Sequence, residues 1–376
     1  MKIAALLFQA ISSMCFCLSL PLLSAAQSAK PGWQTEWEKT VEAAKQEGKV
    51  VVSIPTSAEL RKALEAGFQK EFAGIDLELS AARGASNINK IVEEQRAGVH
   101  RVDLHMGGTS SIITGLLAQN LLEPLQTRLI LPQVREAKNW WSGHLWADSA
   151  HQYVYSFLAY LTETLWYNSN RVKAENITSY DDLLDPRWKG EIAILDPRTP
   201  GSGESTWAFL WRIKGENYLR RLVGQELLVG RNLRQLAEAL VKGKVSLSIG
   251  VSYYTYLPFI KAGLPVKPLP APKEGIYAST GSGNIVMLKN APHPNAAKVF
   301  LNWLLSRDGQ LAVSKALGQP TRRLDVDTQW TKEFGHVAAK EALTPEKFAQ
   351  LENQSEEVVK KVREPAAALA RKLLEQ

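Results

Sequence analysis

Two adjacent tyrosines, Tyr253 and Tyr254, are the residues of this chain best placed to do chemistry. They close residues 244–256 (KVSLSIGVSYYTY), where Val245, Leu247 and Ile249 alternate with Ser246 and Ser248 in the period-two pattern of a strand. The pattern breaks at Gly250, so Ser252, Tyr253 and Tyr254 are delivered at the strand's carboxyl end. In open α/β sheets that end lines the ligand crevice. Two phenols there offer oxygens as hydrogen-bond partners or metal ligands. The competing reading is a pair of half-buried aromatics that pack a loop.

Five further segments are made of small and hydroxyl residues: 55–58, 83–87, 107–110, 200–206 and 280–283. The first four open helices, whose N-termini carry unpaired N–H groups and about half a positive charge, and so bind anions. All four fall at the carboxyl ends of expected strands. The candidate ligand-binding residues are therefore Thr56, Ser57, Arg83, Gly84, Gly108, Thr109, Ser202 and Gly203, together with Tyr253 and Tyr254. Arg83 is the leading anion clamp because a guanidinium grips carboxylate or phosphate bidentately. A surface ion pair is the plainer role for it, and Arg198 and Arg231 rank behind it.

Catalytic patterns are missing. The six histidines show no HExxH spacing, and there is no Gly-x-Ser-x-Gly elbow, P-loop or dinucleotide glycine pattern. Gly203-Glu-Ser-Thr comes closest to an elbow, but Trp207 stands where the closing glycine belongs. A secreted hydrolase would need a nucleophile–base pair involving Ser205 or His105. The expectation is a binding protein without catalytic residues or cofactor.

The elements that must position these residues follow a leader. Met1-Lys2, an apolar run to Leu23 and Ser24-Ala25-Ala26 read as a signal peptide (residues 1–26) cleaved after Ala26, which sends the chain to the periplasm; the competing reading is an uncleaved membrane anchor, since the apolar run is long enough to span. Both cysteines, Cys15 and Cys17, lie in that leader, so the remainder can form neither disulfides nor thiolate metal sites. The formal charge of +7 is spread along the chain without a basic stripe, which argues against nucleic acid and fits a field that attracts small anions. Strand, loop and helix recur three times between residues 48 and 120, the pattern of a parallel sheet with crossover helices. Thr35 and Thr56 have capping-box spacing and are the expected N-caps of the first two helices. Residues 153–167 and the Pro-rich 266–273 (VKPLPAPK) read as extended crossings between two lobes, and 324–376 as a charged helical tail.

Several stretches resemble the extracellular solute-binding proteins of bacterial ABC importers, in particular the ferric-iron-binding branch. They are Leu165-Trp-Tyr-Asn168, Tyr180-Asp-Asp-Leu-Leu-Asp-Pro-Arg-Trp-Lys-Gly190 with Ile192-Ala-Ile, Leu121-Leu-Glu-Pro-Leu125, and residues 296–310 (AAKVFLNWLLSRDGQ). The resemblance implies an α/β, type II periplasmic-binding-protein fold: two lobes joined by two hinge strands that close on a solute. Lobe 1 would be residues 30–152 with 270–310, and lobe 2 residues 160–265 with 320–376. It also implies a membrane permease as partner and a monomeric receptor. In the ferric branch consecutive tyrosines bind the metal, and Tyr253-Tyr254 resembles that pair; Fe(III), a hard ion, prefers anionic oxygen. The branch often adds a histidine and a glutamate, but those places here hold Pro55-Thr56-Ser57 and Gly107-Gly108-Thr109. Two ligand readings remain: a small anion (carboxylate, phosphonate or similar) on Arg83, the loops and the tyrosine hydroxyls, or Fe(III) on Tyr253 and Tyr254 with a synergistic anion.

Overall fold

A computed structural model describes residues 30–82, 84–162 and 165–375. The expected leader and Arg83 lie outside the described residues.

The two N-terminal helices form where their apolar spacing predicts, but their caps differ. The Gly32–Glu47 helix starts before Thr35, behind Pro31, with no side-chain cap. At the Ala58–Glu71 helix the cap is Ser57 and not Thr56: Ser57 has extended backbone, and its Oγ accepts from Leu60 N at 3.1 Å. A capping side chain must sit immediately before the first turn to reach the N3 amide, and Thr56 is one residue too early.

Three parallel strands follow the recurring pattern: β1 (Lys49–Ile54) lies between β2 (Asp76–Ala81) and β3 (Leu104–Gly107). On the far side of β3 the strand β13 (Asn284–Leu288) runs antiparallel and carries β4 (Leu122–Glu123) and β5 (Tyr155–Ser156). Phe68, Phe300 and Trp303 interlock beneath this sheet with Val50, Val52 and Ile54 to form the first lobe's core.

The second lobe is a five-stranded sheet in the order β11 (Val266–Pro268), β7 (Leu165–Asn168), β10 (Leu247–Ile249), β8 (Ile192–Leu195) and β9 (Leu228–Gly230). β10 is its central strand, so Ser246 and Ser248 are as buried as Val245, Leu247 and Ile249. Their alternation marks no solvent face. Ser246 is accommodated by donating to Glu191 Oε2 at 2.7 Å.

A third, antiparallel sheet joins the lobes: β12 (Ala278–Ser279), β6 (Tyr160–Thr162) and β14 (His336–Ala338). β6 is the first expected crossing. The second expectation needs correction, because β11 pairs antiparallel with β7 as an edge of the second lobe, and the return crossing is β12. β14 adds a third crossing. Beyond it the C-terminal segment touches both lobes. Phe348 meets Trp141 edge-on at 5.6 Å, and Glu356 N donates to the Ala147 carbonyl. The Glu364–Leu374 helix packs on the Ser202–Val223 helix, where Trp207 Nε1 donates to the Ala366 carbonyl at 3.0 Å. Among the described residues no helix is long and apolar enough to cross a membrane.

Candidate functional site

Strand ends of both lobes open onto one cleft of about 910 Å³, part of it open to solvent. All five segments rich in small and hydroxyl residues reach it. They contribute Pro55 and Thr56; Gly84; Gly107, Gly108 and Ser110; Gly201, Ser202 and Ser205; and Gly281 and Ser282. Small residues at these points let backbone amides approach a ligand, since no side chain stands in front of them.

The wall of the second lobe depends on two glycines. Gly250 ends β10 with φ +75°, and a Cβ there would lie 2.8 Å from Gly203 Cα. A Cβ on Gly203 would lie 2.1 Å from the Leu195 carbonyl oxygen. This close approach brings the start of the Ser202–Val223 helix down on the ends of β8 and β10, where Ser202 Oγ donates to the Gly250 carbonyl at 2.6 Å. Gly203 is therefore buried behind the wall and does not line the cleft, and Ser57 is occupied as a helix cap.

The tyrosine pair divides. Residues 253–261 form a helix that begins at Tyr253, so successive side chains diverge by about 100°. Tyr254 lines the cleft. Tyr253 points into packing: it is 2 % exposed, its ring is 5.8 Å from His336 and 6.1 Å from Trp166, and a Cβ on Gly318 would meet it at 2.2 Å. Burial raises its phenol above the ordinary range, which opposes a phenolate at that position. Two tyrosines overlooked in the sequence, Tyr160 on β6 and Tyr277 beside β12, line the cleft with Tyr254. Burial raises the Tyr160 phenol, and the neighbouring Tyr277 and Tyr254 raise it further. Alternation along the crossing strand was the one available signal for Tyr160.

The charged groups also differ from expectation. Arg198 and Arg231 both turn to Asp196, at 2.8 and 2.7 Å, and away from the cleft. Burial alone would raise the Asp196 carboxyl, but hydrogen bonds from the two arginines outweigh it and hold it at about 2. Thr109 is fully buried and donates to Gln354 Oε1 at 2.6 Å, behind the cleft surface. Across the cleft, Ser110 Oγ donates to Glu204 Oε1 at 3.2 Å, so the lobes touch. Glu204 also binds Arg363 at 2.7 Å. Gln354 and Arg363, from the tail, both line the cleft. Nothing in their sequence context marked them.

His105 is fully buried with Nδ1 2.9 Å from Ser53 Oγ, and burial lowers its imidazole to about 4. Ser205 Oγ donates to the Gly201 carbonyl at 3.2 Å. The two are not joined into a nucleophile–base pair. Among the described residues no group of three or more His, Cys, Asp or Glu side chains could hold a metal.

Solved structures with this fold include iron-bound HitA from Pseudomonas aeruginosa (TM-score 0.63, 20 % identity, 86 % of this chain and 99 % of that one). Another is AfuA from Actinobacillus pleuropneumoniae with fructose-6-phosphate bound (TM-score 0.62, 18 %, 87 % and 98 %). A third is Trichodesmium FutA with iron and citrate (TM-score 0.60, 20 %, 87 % and 98 %). They share the two-lobed architecture. Iron uptake protein A2 of Synechocystis is 32 % identical over 163 residues, 39 % of this chain and 46 % of that protein. The chain thus spans under half the length of the curated relatives it matches. The family of bacterial extracellular solute-binding proteins matches residues 49–316, well over half of the chain. The crossing strands, the shared cleft and this match agree, and the chain belongs to the bacterial extracellular solute-binding protein family, a family of transport receptors and not of enzymes.

Proposed function

We propose that this receptor captures ferric iron together with an organic oxyanion in the interlobe cleft and hands the complex to an ABC permease in the membrane. The observation that carries the reading is the set of phenols: Tyr254, Tyr160 and Tyr277 line a cleft whose other polar lining is hydroxyls, amides, backbone and the Arg363 guanidinium. Phenol oxygen suits Fe(III). No imidazole or carboxylate is among the described lining residues, so a co-bound anion must complete the coordination. The iron uptake proteins among its relatives, and FutA with iron and citrate, support the same cargo. Tyr254 is the first candidate for the phenolate, because it is the least buried of the three.

A second reading, a small anion without metal, is favoured by the hydroxyl- and amide-rich lining and by AfuA, which holds a sugar phosphate on the same fold. Titration of the purified protein with ferric citrate, citrate and fructose 6-phosphate separates the two. The iron reading expects a visible phenolate-to-iron charge-transfer band and a raised melting temperature with ferric citrate alone. A colourless protein stabilised equally by metal-free citrate or by the sugar phosphate would replace it with the second reading.

A further inference from the structure

Among the described residues that line the cleft, Arg363 is the only charged one. It comes from the C-terminal segment, past the third crossing, and is 2 % exposed. Its Nη2 donates to Glu204 Oε2 at 2.7 Å and more weakly to the Gly201 carbonyl at 3.3 Å. Its Nη1 makes two long bonds of 3.2 Å, to the Asn353 carbonyl and to Gln354 Oε1. Its buried Nε has no hydrogen-bond partner. Only one of its bonds is short and charge-assisted, and one donor is unspent. Arg322 also leaves a buried guanidinium nitrogen unspent, but it does not line the cleft; at Arg363 the unspent donor and the cleft coincide.

We propose that Arg363 is the specificity-determining residue of the cleft, anchoring the negative charge of an oxyanion (carboxylate or phosphate), and that Glu204 is the positioning residue that holds its guanidinium in place. The proposal rests on the reading of the cleft as the ligand site. It names which residue recognises charge there and which class of ligand the charge selects. Glu204 grips Nη2 from behind, at the start of the Ser202–Val223 helix, and is not itself a lining residue. Gln354 lies beside the guanidinium on the same wall, with Nε2 3.3 Å from Ser279 Oγ. Tyr277, the residue before β12, faces it. Burial raises that phenol, while the Thr206 hydroxyl and the Arg363 charge pull it back. An oxyanion at this wall would therefore meet a cation and a phenol together, a pairing that distinguishes a charged ligand from a neutral one.

The test uses the full chain and three probes: ferric citrate, metal-free citrate and fructose 6-phosphate. Removing Arg363 alone would leave Glu204 as an unpaired buried charge. The informative protein is therefore the double variant Arg363→Gln/Glu204→Gln, with Arg363→Lys as the conservative comparison. The expected result is a melting temperature close to wild type and affinity reduced roughly 10- to 100-fold for whichever probe wild type binds. The salt dependence of binding should be lost, and Arg363→Lys should recover part of the affinity. A loss confined to the citrate probes identifies a carboxylate source, and a loss confined to fructose 6-phosphate a phosphate source. Affinity within threefold of wild type in the double variant would overturn the proposal and leave Arg363 as a fastener of the C-terminal segment. If wild type binds none of the probes, the reading of the cleft fails in the unmutated protein, and this proposal fails with it.

Discussion

Ser110 Oγ and Glu204 Oε1 meet at 3.2 Å, joining the loop after β3 to the first turn of the longest helix of the other lobe. Beside it, Thr109 donates to Gln354 of the C-terminal segment at 2.6 Å. Each such bond contributes about 1 kcal/mol. Thr109→Val/Ser110→Ala is expected to weaken ligand binding roughly tenfold and to shift the protein toward an open shape. A larger radius of gyration in small-angle scattering checks this; an unchanged radius would assign closure to other contacts.

The tyrosine pair should behave unequally. Tyr254→Phe removes a phenol from the cleft and is expected to lower affinity for ferric citrate by roughly 10- to 100-fold and to abolish the visible band. Tyr253→Phe changes a side chain buried beside Trp166, His336 and Gly318 and outside the cleft lining, and should leave both affinity and colour within threefold of wild type. Equal losses in the two variants would show that both phenols reach the cargo.

Gly203→Ala should unfold the second lobe's wall and not merely perturb it. Its Cβ has the Leu195 carbonyl oxygen at 2.1 Å, with backbone on the other side of the contact, so no side chain can move out of the way. A loss of about 3 kcal/mol is expected, read as a lower midpoint of urea unfolding. Ser202→Ala, at the neighbouring lining position, serves as the mild comparison.

His105 and His336 predict an acid-sensitive fold. Burial lowers both imidazoles to about 4; for His336 the Gly318 carbonyl opposes burial without overcoming it. The unfolded chain takes up these protons near pH 6.5, so the stability held by the neutral rings is complete above that value and is lost as pH falls toward 4. The loss amounts to about 3 kcal/mol for each histidine. Unfolding midpoints measured from pH 7 to pH 4 should fall accordingly, and His336→Gln should flatten the slope.

What could be read from residues alone follows the range of the forces involved. The five small-residue loops were legible because Gly, Ser and Thr at strand ends reflect local backbone needs, and all five reach the cleft. The direction of Tyr253 was not, because it turns on whether the helix begins at that residue or after it. Likewise, 266–273 reads as extended, and β11 is extended, but its partner is chosen by β7, a hundred residues away. The second helix's cap was missed by one position, since Thr56 and Ser57 have equal chemistry and only the backbone of Ser57 fits; the first was missed by four, because that helix starts behind Pro31. Gln354 and Arg363 had no local signature at all: their role depends on β14 carrying the tail back across the hinge.

That third crossing also orders events in time. The sheets of the two lobes have all their strands once residue 288 has been made, yet the wall bearing Gln354 and Arg363 is synthesised after them. A nascent chain can thus pair the strands of both halves before it can hold cargo, and the wall that completes the cleft arrives together with the helix whose Ala366, Ala370 and Leu373 complete the second lobe's core.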